Sequence, residues 1–450
     1  MGRLFGTDGV RGVAGTELDC ALAMNLGRAA AMVLTEAVQH RPRILIGTDT
    51  RVSADMLESA LAAGFCSVGA DVVLLGVVPT PAVAYLVQKY GADAGAVISA
   101  SHNPMEYNGI KLFNSEGYKL SDALEEQIEA ILLDGAAKPP VKTGNDIGRL
   151  SRSKEAAGDY VRHLLGLAET DFSGLRIAVD CANGAASVTA PLLFAALGAE
   201  CDILSANPDG VNINDHCGST HLDHLRRFVL ENHCDLGVAF DGDADRCLAV
   251  DETGAVIDGD KLIAIFAHDM KRRGILPENT AVVTVLSNLG FFRFAETNGI
   301  HVETTKVGDR YVLEAMRQNG YAVGGEQSGH IIFLHDATTG DGELTAVRLI
   351  CALKNAGCKA SELASVMQTY PQVMVNVRVC SEGKVRLSGD TAIRAAVERA
   401  EEMLAGDGRV LVRASGTEPL VRVMVEGKDA AAIEKLAGGI ADVVKIRMGA

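Results

Sequence analysis

The chain has 450 residues, a formal net charge of −16 and a hydrophobic content of 48%. At ~150 residues per domain that length suggests about three domains, and the composition is that of a globular chain able to bury large cores. The acidic balance argues against a general nucleic-acid or anionic-membrane binder, but leaves local phosphate binding by Arg clusters and helix N-termini open.

The N-terminal stretch Phe5-Gly6-Thr7-Asp8-Gly9-Val10-Arg11-Gly12 sets glycines around Asp8 and Arg11, where a backbone can come close to a ligand and Arg11 can clamp an oxyanion. Residues 18–36 are Ala-rich and helix-compatible. Residues 43–47 read as a strand ended by the polar loop Asp49-Thr50-Arg51, residues 53–69 as a helix and 72–75 as a strand. This alternation implies a parallel sheet covered on both faces. The most apolar stretch, 72–87, is broken by Pro79 and Pro81 and is too short for a comfortable membrane span, so it reads as a strand, a turn and the start of a helix.

Next, Ala94–Ile98 has the length and composition of a buried strand. It runs into Ser99-Ala100-Ser101-His102-Asn103-Pro104, a polar loop in the place where α/β sheets put their ligands. Asn108-Gly109 reads as a tight turn that leaves Lys111 near Ser101 in sequence. Ser121 opens a helix bearing Leu124, Ile128, Ile131 and Leu132 on one face. Residues 135–152, with Pro139-Pro140, read as a linker.

A second unit has strands at 175–179 and 201–204, a turn at Asn183-Gly184, and a helix at 188–197. Its apolar run Leu236–Phe240 ends in Asp241-Gly242-Asp243-Ala244-Asp245-Arg246. Three carboxylates at alternate positions lie on one side if this segment is extended, and they repel unless a cation sits among them. Hard oxygen ligands suit Mg²⁺. Arg246 stands where a calcium loop needs glycine, so an EF-hand is excluded.

A third unit begins near Asp258, with strands at 281–286, His301–Thr305 and 321–324 and helices at 291–298 and 309–318. It leads to Gly325-Glu326-Gln327-Ser328-Gly329-His330, whose carboxylate, hydroxyl and imidazole can bind sugar hydroxyls and move protons; His330 alone reads equally as a satisfied core histidine. In the last unit, 373–450, apolar runs flank Arg413-Ala414-Ser415-Gly416-Thr417-Glu418-Pro419. That loop is either a plain hairpin or a phosphate nest, and both readings stand.

The ten cysteines contain no C-x-x-C pair, and with no secretory signal they read as reduced thiols of a cytoplasmic protein. Cys217, His221, His224, His233 and Cys234 are zinc-ligand types without the close pair that a zinc site needs.

Taken together and in this order, the five loop motifs resemble those of the α-D-phosphohexomutase superfamily, over essentially the whole chain. The resemblance implies three similar α/β/α domains with mixed sheets plus a smaller C-terminal α+β domain around a central cleft. The expected divisions are 1–150 with the phosphoserine loop, 151–257 with the metal loop, 258–370 with the sugar loop and 371–450 with the phosphate loop. It implies that Ser101 carries a phosphoryl group and, with Asp241, Asp243 and Asp245, holds one Mg²⁺ per chain. By the same resemblance, Arg11, His102, Lys111 and Arg246 serve the transferring group and His330 proton transfer. Glu326 and Ser328 would grip sugar hydroxyls, and Arg413, Ser415, Gly416 and Thr417 the phosphate that is not reacting. The implied reaction is an isomerase-class phosphoryl transfer between positions 6 and 1 of glucosamine phosphate through a 1,6-bisphosphate, feeding UDP-N-acetylglucosamine and cell-wall precursors. Glucosamine or glucose 1,6-bisphosphate would act as activator, and a kinase or autophosphorylation would prime Ser101. A homodimer fits the resemblance; nucleic acid and membrane are not expected partners. A phosphomannomutase or phosphoglucomutase of the same superfamily, or a non-catalytic sugar-phosphate sensor, are the alternatives.

Overall fold

The computed structural model describes residues 3–6, 8–380, 386–415 and 419–449, apart from the side chain of Ser388. The chain forms two compact units: Met1–Leu286 with Ile300–Val366, and Ser287–Gly299 with Met367–Ala450.

The first unit holds three sheets. The first contains β1 (Phe5–Gly6), β2 (Gly9–Val13), β3 (Arg43–Thr48), β4 (Asp71–Val77), β5 (Ala94–Ile98), β6 (Tyr107–Asn114) and β7 (Leu150–Arg152), in the order β1-β2-β6-β5-β3-β4-β7. Strands β5, β3, β4 and β7 are parallel, as the alternation of strand and helix predicts, whereas β6 returns antiparallel to β5 and pairs with β2. Ile44, Ile46, Ala94, Ala96 and Ile98 share one core with side chains of the helices Cys20–Leu34, Ala54–Ser67 and Asp122–Asp134. On the other face, Gly95 looks at Val83 and Val87 of the helix Thr80–Lys89.

Two local expectations are corrected. Asn108-Gly109 is not a turn: it lies inside β6, where buried Asn108 donates to Ser53 Oγ at 2.9 Å. The glycine is needed for close approach, since a Cβ there would stand 2.5 Å from the Ser99 carbonyl oxygen. The segment read as a linker also ends in structure. Its last three residues form β7 beside β4, guided by Arg149, whose N–H donates to Asp71 Oδ1 at 2.7 Å. Three exposed residues carry no hydrophobic period, so nothing in the sequence marks them.

The second sheet is β12-β11-β10-β8-β9, built from β8 (Arg176–Asp180), β9 (Glu200–Leu204), β10 (Leu236–Phe240), β11 (Cys247–Asp251) and β12 (Val256–Ile257). The third is β14-β13-β15-β16, from β13 (Thr280–Thr284), β14 (His301–Thr305), β15 (Val323–Gly325) and β16 (Ile331–Phe333). One arrangement recurs in all three sheets. A strand with a parallel neighbour (β5, β10, β15) runs into a polar loop, and the next strand (β6, β11, β16) returns antiparallel beside it. The helix Asp223–Asn232 escapes a sequence reading because only Leu225 and Val229 on it are buried.

In the second unit β17 (Gln372–Arg378), β18 (Gly408–Ala414) and β19 (Leu420–Gly427) form an antiparallel sheet in the order β17-β19-β18. It packs on the helices Thr391–Leu404 and Ala430–Met448 through a core that includes Ile393, Val421, Val423, Val425, Ile433 and Ile440. Among the described residues no helix is long and apolar enough to cross a membrane.

One buried acid tests the packing of the first unit. Glu343, in the first turn of the helix Gly342–Ala356, is fully buried; it accepts a hydrogen bond from Thr189 Oγ1, while its Oε2 has no partner. Burial, reinforced by Asp341, pushes its carboxyl well above the ordinary range. Burial also lifts Asp341 to about 6. The folded state therefore favours the protonated acid. Stability is greatest below the unfolded carboxyl value of ~4.3 and declines as pH rises above it, by up to ~1.4 kcal/mol per unit for each such group. Glu343→Gln keeps an acceptor for Thr189 and removes the titration. Thermal denaturation between pH 5 and 8 is expected to show a flatter pH dependence for the variant, and equal or higher stability at pH 8. A variant that loses stability equally at every pH would refute the protonated assignment.

Candidate active site

The site is built from the loops at the ends of β5, β10 and β15. After β5 the chain turns sharply: Ser101 adopts φ 54° and is 1% exposed. A non-glycine residue in this left-handed region is uncommon and needs support from its surroundings. The Ser101 amide donates to Ser99 Oγ at 3.0 Å, and Asn214 Nδ2 donates to the Ser101 carbonyl at 2.9 Å. With its backbone so held, the Ser101 hydroxyl donates to Asp241 Oδ2 at 2.6 Å and lies 3.3 Å from His102 Nδ1.

The acidic loop after β10 is a turn, not the extended segment expected. Ala244 has φ 55°, and its N–H donates to the Asp241 carbonyl at 3.0 Å. The carboxylates converge all the same: one oxygen from each of Asp241, Asp243 and Asp245 lies within 4.8 Å of the others, and all three residues are buried. Gly242 allows the loop to touch the serine loop, since a Cβ there would lie 2.5 Å from the Ser101 carbonyl oxygen. Two oxygens, Asp243 Oδ1 and Asp245 Oδ1, are buried without a hydrogen-bond partner among the described residues. Burial, then Asp245 and Asp243, pushes the Asp241 carboxyl up to about 8. Three converging carboxylates, two of them with an oxygen that has no protein hydrogen-bond partner among the described residues, fit a divalent cation.

A cationic belt closes round the carboxylates. Lys111, 1% exposed, places Nζ 2.7 Å from Asp243 Oδ2, 2.8 Å from Asp8 Oδ2 and 3.2 Å from Asp245 Oδ2. Burial opposes its charge, but Asp243, Asp245 and Asp8 more than offset this and hold its pKa well above normal. Asp8 also pairs with Arg11 and with Lys119, and Lys119 reaches Asp309. Burial likewise opposes ionisation of Asp245, and Lys111 and His330 overcome it, keeping that carboxyl well below its usual range. The backbone N–H of Arg246 donates to Asp241 Oδ1 at 3.2 Å. Among the described residues the Nε atoms of Arg11 and Arg246 are buried without a hydrogen-bond partner, that of Arg246 lying 3.9 Å from Asp245 Oδ1. Burial and these two arginines push His102 down to about 4, so it is neutral at pH 7.

His330 follows the loop after β15 and sits between two acids, its Nδ1 3.6 Å from Asp245 Oδ1 and its Nε2 3.6 Å from Asp309 Oδ2. Burial lowers its pKa, and Asp245 and Asp309 raise it by more. Gly340 N–H donates to Nε2 at 3.1 Å, so the neutral ring carries its proton on Nδ1, facing Asp245. In the same loop Ser328 Oγ is buried without a partner, Glu326 Oε1 accepts from Gly308 N–H at 3.0 Å, and Gln327 Nε2 donates to Asp258 Oδ2 at 3.3 Å.

The structure thus brings Ser101, His102, Lys111, Arg11, Arg246, the three aspartates and His330 into one network. It adds groups that the sequence did not single out. Thr80, at the start of the helix Thr80–Lys89, donates both Oγ1 and its backbone N–H to Asp243. Lys119 and Asp309 carry charge from Asp8, already part of the N-terminal motif, to His330. The contacts of Lys119 and Asp309 span up to 190 residues, so no local signal marks these two.

In the second unit Arg413, the last residue but one of β18, lies directly across from Arg422 on β19. Burial and this neighbour lower the Arg413 pKa, and its Nε has no hydrogen-bond partner among the described residues. Opposed like charges destabilise a sheet pair and favour an anion between them. Ser415 is buried, and its N–H donates to the Leu420 carbonyl at 2.8 Å. Gly416 and Thr417 lie outside the described residues.

Comparison with known proteins agrees with this layout. Profiles of the phosphoglucomutase/phosphomannomutase family match in sequence: α/β/α domain I on residues 2–138, domain II on 158–254, domain III on 258–370 and the C-terminal domain on 374–443. The chain belongs to this family. The phosphoglucosamine mutase of Acetivibrio thermocellus is 55% identical over 449 residues, covering 100% of both chains. Among solved structures, a phosphoglucomutase/phosphomannomutase family protein from Burkholderia thailandensis superposes with a TM-score of 0.84 at 26% identity, over 99% of this chain and 97% of the other. The N-acetylphosphoglucosamine mutase of Aspergillus fumigatus, in complex with GlcNAc-6P and magnesium, shares the fold at a TM-score of 0.70 and 17% identity, over 99% and 96%. The expected fold class, three α/β/α domains with mixed sheets and a smaller C-terminal domain, is that of the family.

Proposed function

We propose that the chain interconverts glucosamine 6-phosphate and glucosamine 1-phosphate through a phosphorylated Ser101. The observation that carries this reading is the 55% identity, over the whole chain, to a protein named phosphoglucosamine mutase. Family resemblance alone leaves the sugar open. The site's chemistry supports the reaction type. Ser101 Oγ lies against Asp241, and unpaired donors of Arg11 and Arg246 belong to the same network.

In this reading the P–Oγ bond of phosphoserine breaks as O1 of glucosamine 6-phosphate bonds to phosphorus. The proton of that hydroxyl leaves to a base, the role we give His330. The resulting 1,6-bisphosphate turns over; Ser101 Oγ then bonds to the 6-phosphorus as the P–O6 bond breaks, O6 takes the proton held on His330, and glucosamine 1-phosphate leaves. Asp241, Asp243, Asp245 and a phosphoserine oxygen would hold Mg²⁺, which when bound supplies Lewis-acid polarisation of the phosphoryl group. Arg11, Lys111 and Arg246 stabilise charge on the moving group, and neutral His102 lies beside the carrier oxygen. Glu326 and Ser328 hold sugar hydroxyls. Arg413, Ser415, Gly416 and Thr417 hold the other phosphate, with Arg422 opposite Arg413 adding charge. A 1,6-bisphosphate keeps Ser101 loaded, the first phosphoryl group coming from a kinase or autophosphorylation, and the setting is the cytoplasm.

Gln327 beside Glu326 favours the amino sugar in sequence terms, but its amide is bonded to Asp258. That bond uses the amide nitrogen and leaves Oε1 as an acceptor, while the charge-assisted partner for a 2-ammonium group is a carboxylate such as Glu326. A charged amine bound by a carboxylate makes a bond about twice as strong as a neutral one, so a preference of several-fold or more is expected. The test compares kcat/KM for glucosamine, glucose and mannose 6-phosphates under identical Mg²⁺ and bisphosphate. The amino sugar is expected to lead; a higher value for either neutral sugar would overturn the substrate while leaving the family standing.

A further inference from the structure

We propose that Arg51 is the positioning residue for the phosphoryl-carrying loop, an inference that rests on Ser101 being the carrier. The sequence shows only a polar turn after β3. In the structure that turn is buried beside the end of β5, and the Arg51–Asp49 pair is 0% exposed at both side chains. A guanidinium has five N–H donors, and each has an acceptor. Nε donates to Asp49 Oδ2 at 2.8 Å. Nη1 donates to the carbonyls of Pro104 at 2.5 Å and Tyr107 at 2.9 Å. Nη2 donates to those of Ser101 at 3.0 Å and Asn103 at 2.8 Å. With every donor used and no surface exposed, Arg51 cannot act as a phosphate clamp, unlike Arg11 and Arg246 with their unpaired Nε atoms.

What Arg51 does is orient peptide planes. Its bond to the Ser101 carbonyl fixes the plane after Ser101. The plane before it is fixed by the Ser101 N–H on Ser99 Oγ, and Ser99 Oγ in turn donates to Asp49 Oδ2 at 2.6 Å. Asp49 is itself tied to the end of β5, its N–H donating to the Ile98 carbonyl at 3.1 Å, and it accepts from the Arg51 N–H at 3.0 Å. Both planes that flank the left-handed Ser101 are thus tied to one ion pair, with Asn214 Nδ2 as a second donor to the Ser101 carbonyl, and the side-chain direction follows from them.

The experiment uses the full chain with Arg51→Lys and Ser99→Ala. Lysine keeps the charge for Asp49 but has three donors, too few for four carbonyls. Alanine removes one oxygen from the relay and little packing, so it keeps the test open should the lysine variant fail to fold. Misplacement of a reacting group by ~1 Å can cost ~10²-fold in rate. Arg51→Lys is expected to lower kcat by about that factor and Ser99→Ala by ~10-fold, with KM for glucosamine 6-phosphate within about twofold of the parent. Hydrogen exchange, which needs no substrate, is expected to show lost protection in peptides covering 99–107 while β3 and β4 stay protected. A raised KM with unchanged kcat would make Arg51 a substrate contact and overturn the proposal. Unchanged exchange in that loop for both variants would do the same. If the parent instead turned over none of the three sugar phosphates, the proposed function would fall while the exchange data still decided the positioning role.

Discussion

Ser101→Ala is expected to lower turnover by ~10⁴-fold or more, since removing a nucleophile that forms a covalent intermediate removes the reaction path itself. The loss should not come from unfolding. Among the described residues the hydroxyl hydrogen-bonds Asp241 and His102, within a loop whose backbone is held from elsewhere. Deleting it leaves one buried acceptor short of a partner, at a cost of about 1–3 kcal/mol. Alanine must also keep φ 54°, which suits it no better than serine. Ser101→Gly is therefore the informative companion: it relieves the backbone strain, by about 1–2 kcal/mol, and should be more stable than the alanine variant while equally inactive. Intact-mass measurement should find a phosphate on the parent protein and on neither variant. Near-native turnover by either would remove Ser101 as the carrier.

Asp243→Asn should weaken Mg²⁺ binding by about 10²-fold or more, the loss of one anionic ligand from a three-carboxylate set. Asp243 Oδ2 accepts from Lys111 and Thr80, and an asparagine oxygen can keep both bonds. The change falls on Oδ1, the oxygen without a protein partner, where an amide nitrogen would now present hydrogens to the cation. Lys111 retains Asp8 and Asp245, so the buried lysine is not stranded. Titration calorimetry with Mg²⁺ checks affinity directly, and activity should partly return at high Mg²⁺. If a chelator leaves the parent rate untouched and the variant binds Mg²⁺ normally, the three carboxylates are a structural turn.

The strands that lead into the site were legible where burial leaves an apolar run. Ala94–Ile98 and Leu236–Phe240, buried at every residue, coincide with observed strands. Polar and exposed elements were not: β7 and the helix Asp223–Asn232 have little or nothing buried to reveal them. Within the site, residues grouped in short motifs could be found because chemistry clusters them along the chain. Thr80, Lys119 and Asp309 could not, since each acts through a partner far away in sequence. The Asp241–Asp245 loop shows a third case. Its three carboxylates converge as expected but on a different local geometry, because a turn with Ala244 at positive φ gathers alternate carboxylates as well as an extended segment does.

The strand–loop–return arrangement shared by the three sheets bears on how such a chain can diverge. Each functional loop is clasped at both stems by hydrogen-bonded neighbours: Ile98 opposite Ile110, Phe240 opposite Cys247, Gly325 opposite Ile331. Shifting a stem by one residue would turn its buried side chains to the wrong face, so inherited change is constrained in the register of the stems and freer in the side chains between them. A lineage can then drift from one sugar to another by exchanging loop residues, without renegotiating the scaffold. Solved structures that keep this fold at 17–26% identity are what such a division of labour leaves behind.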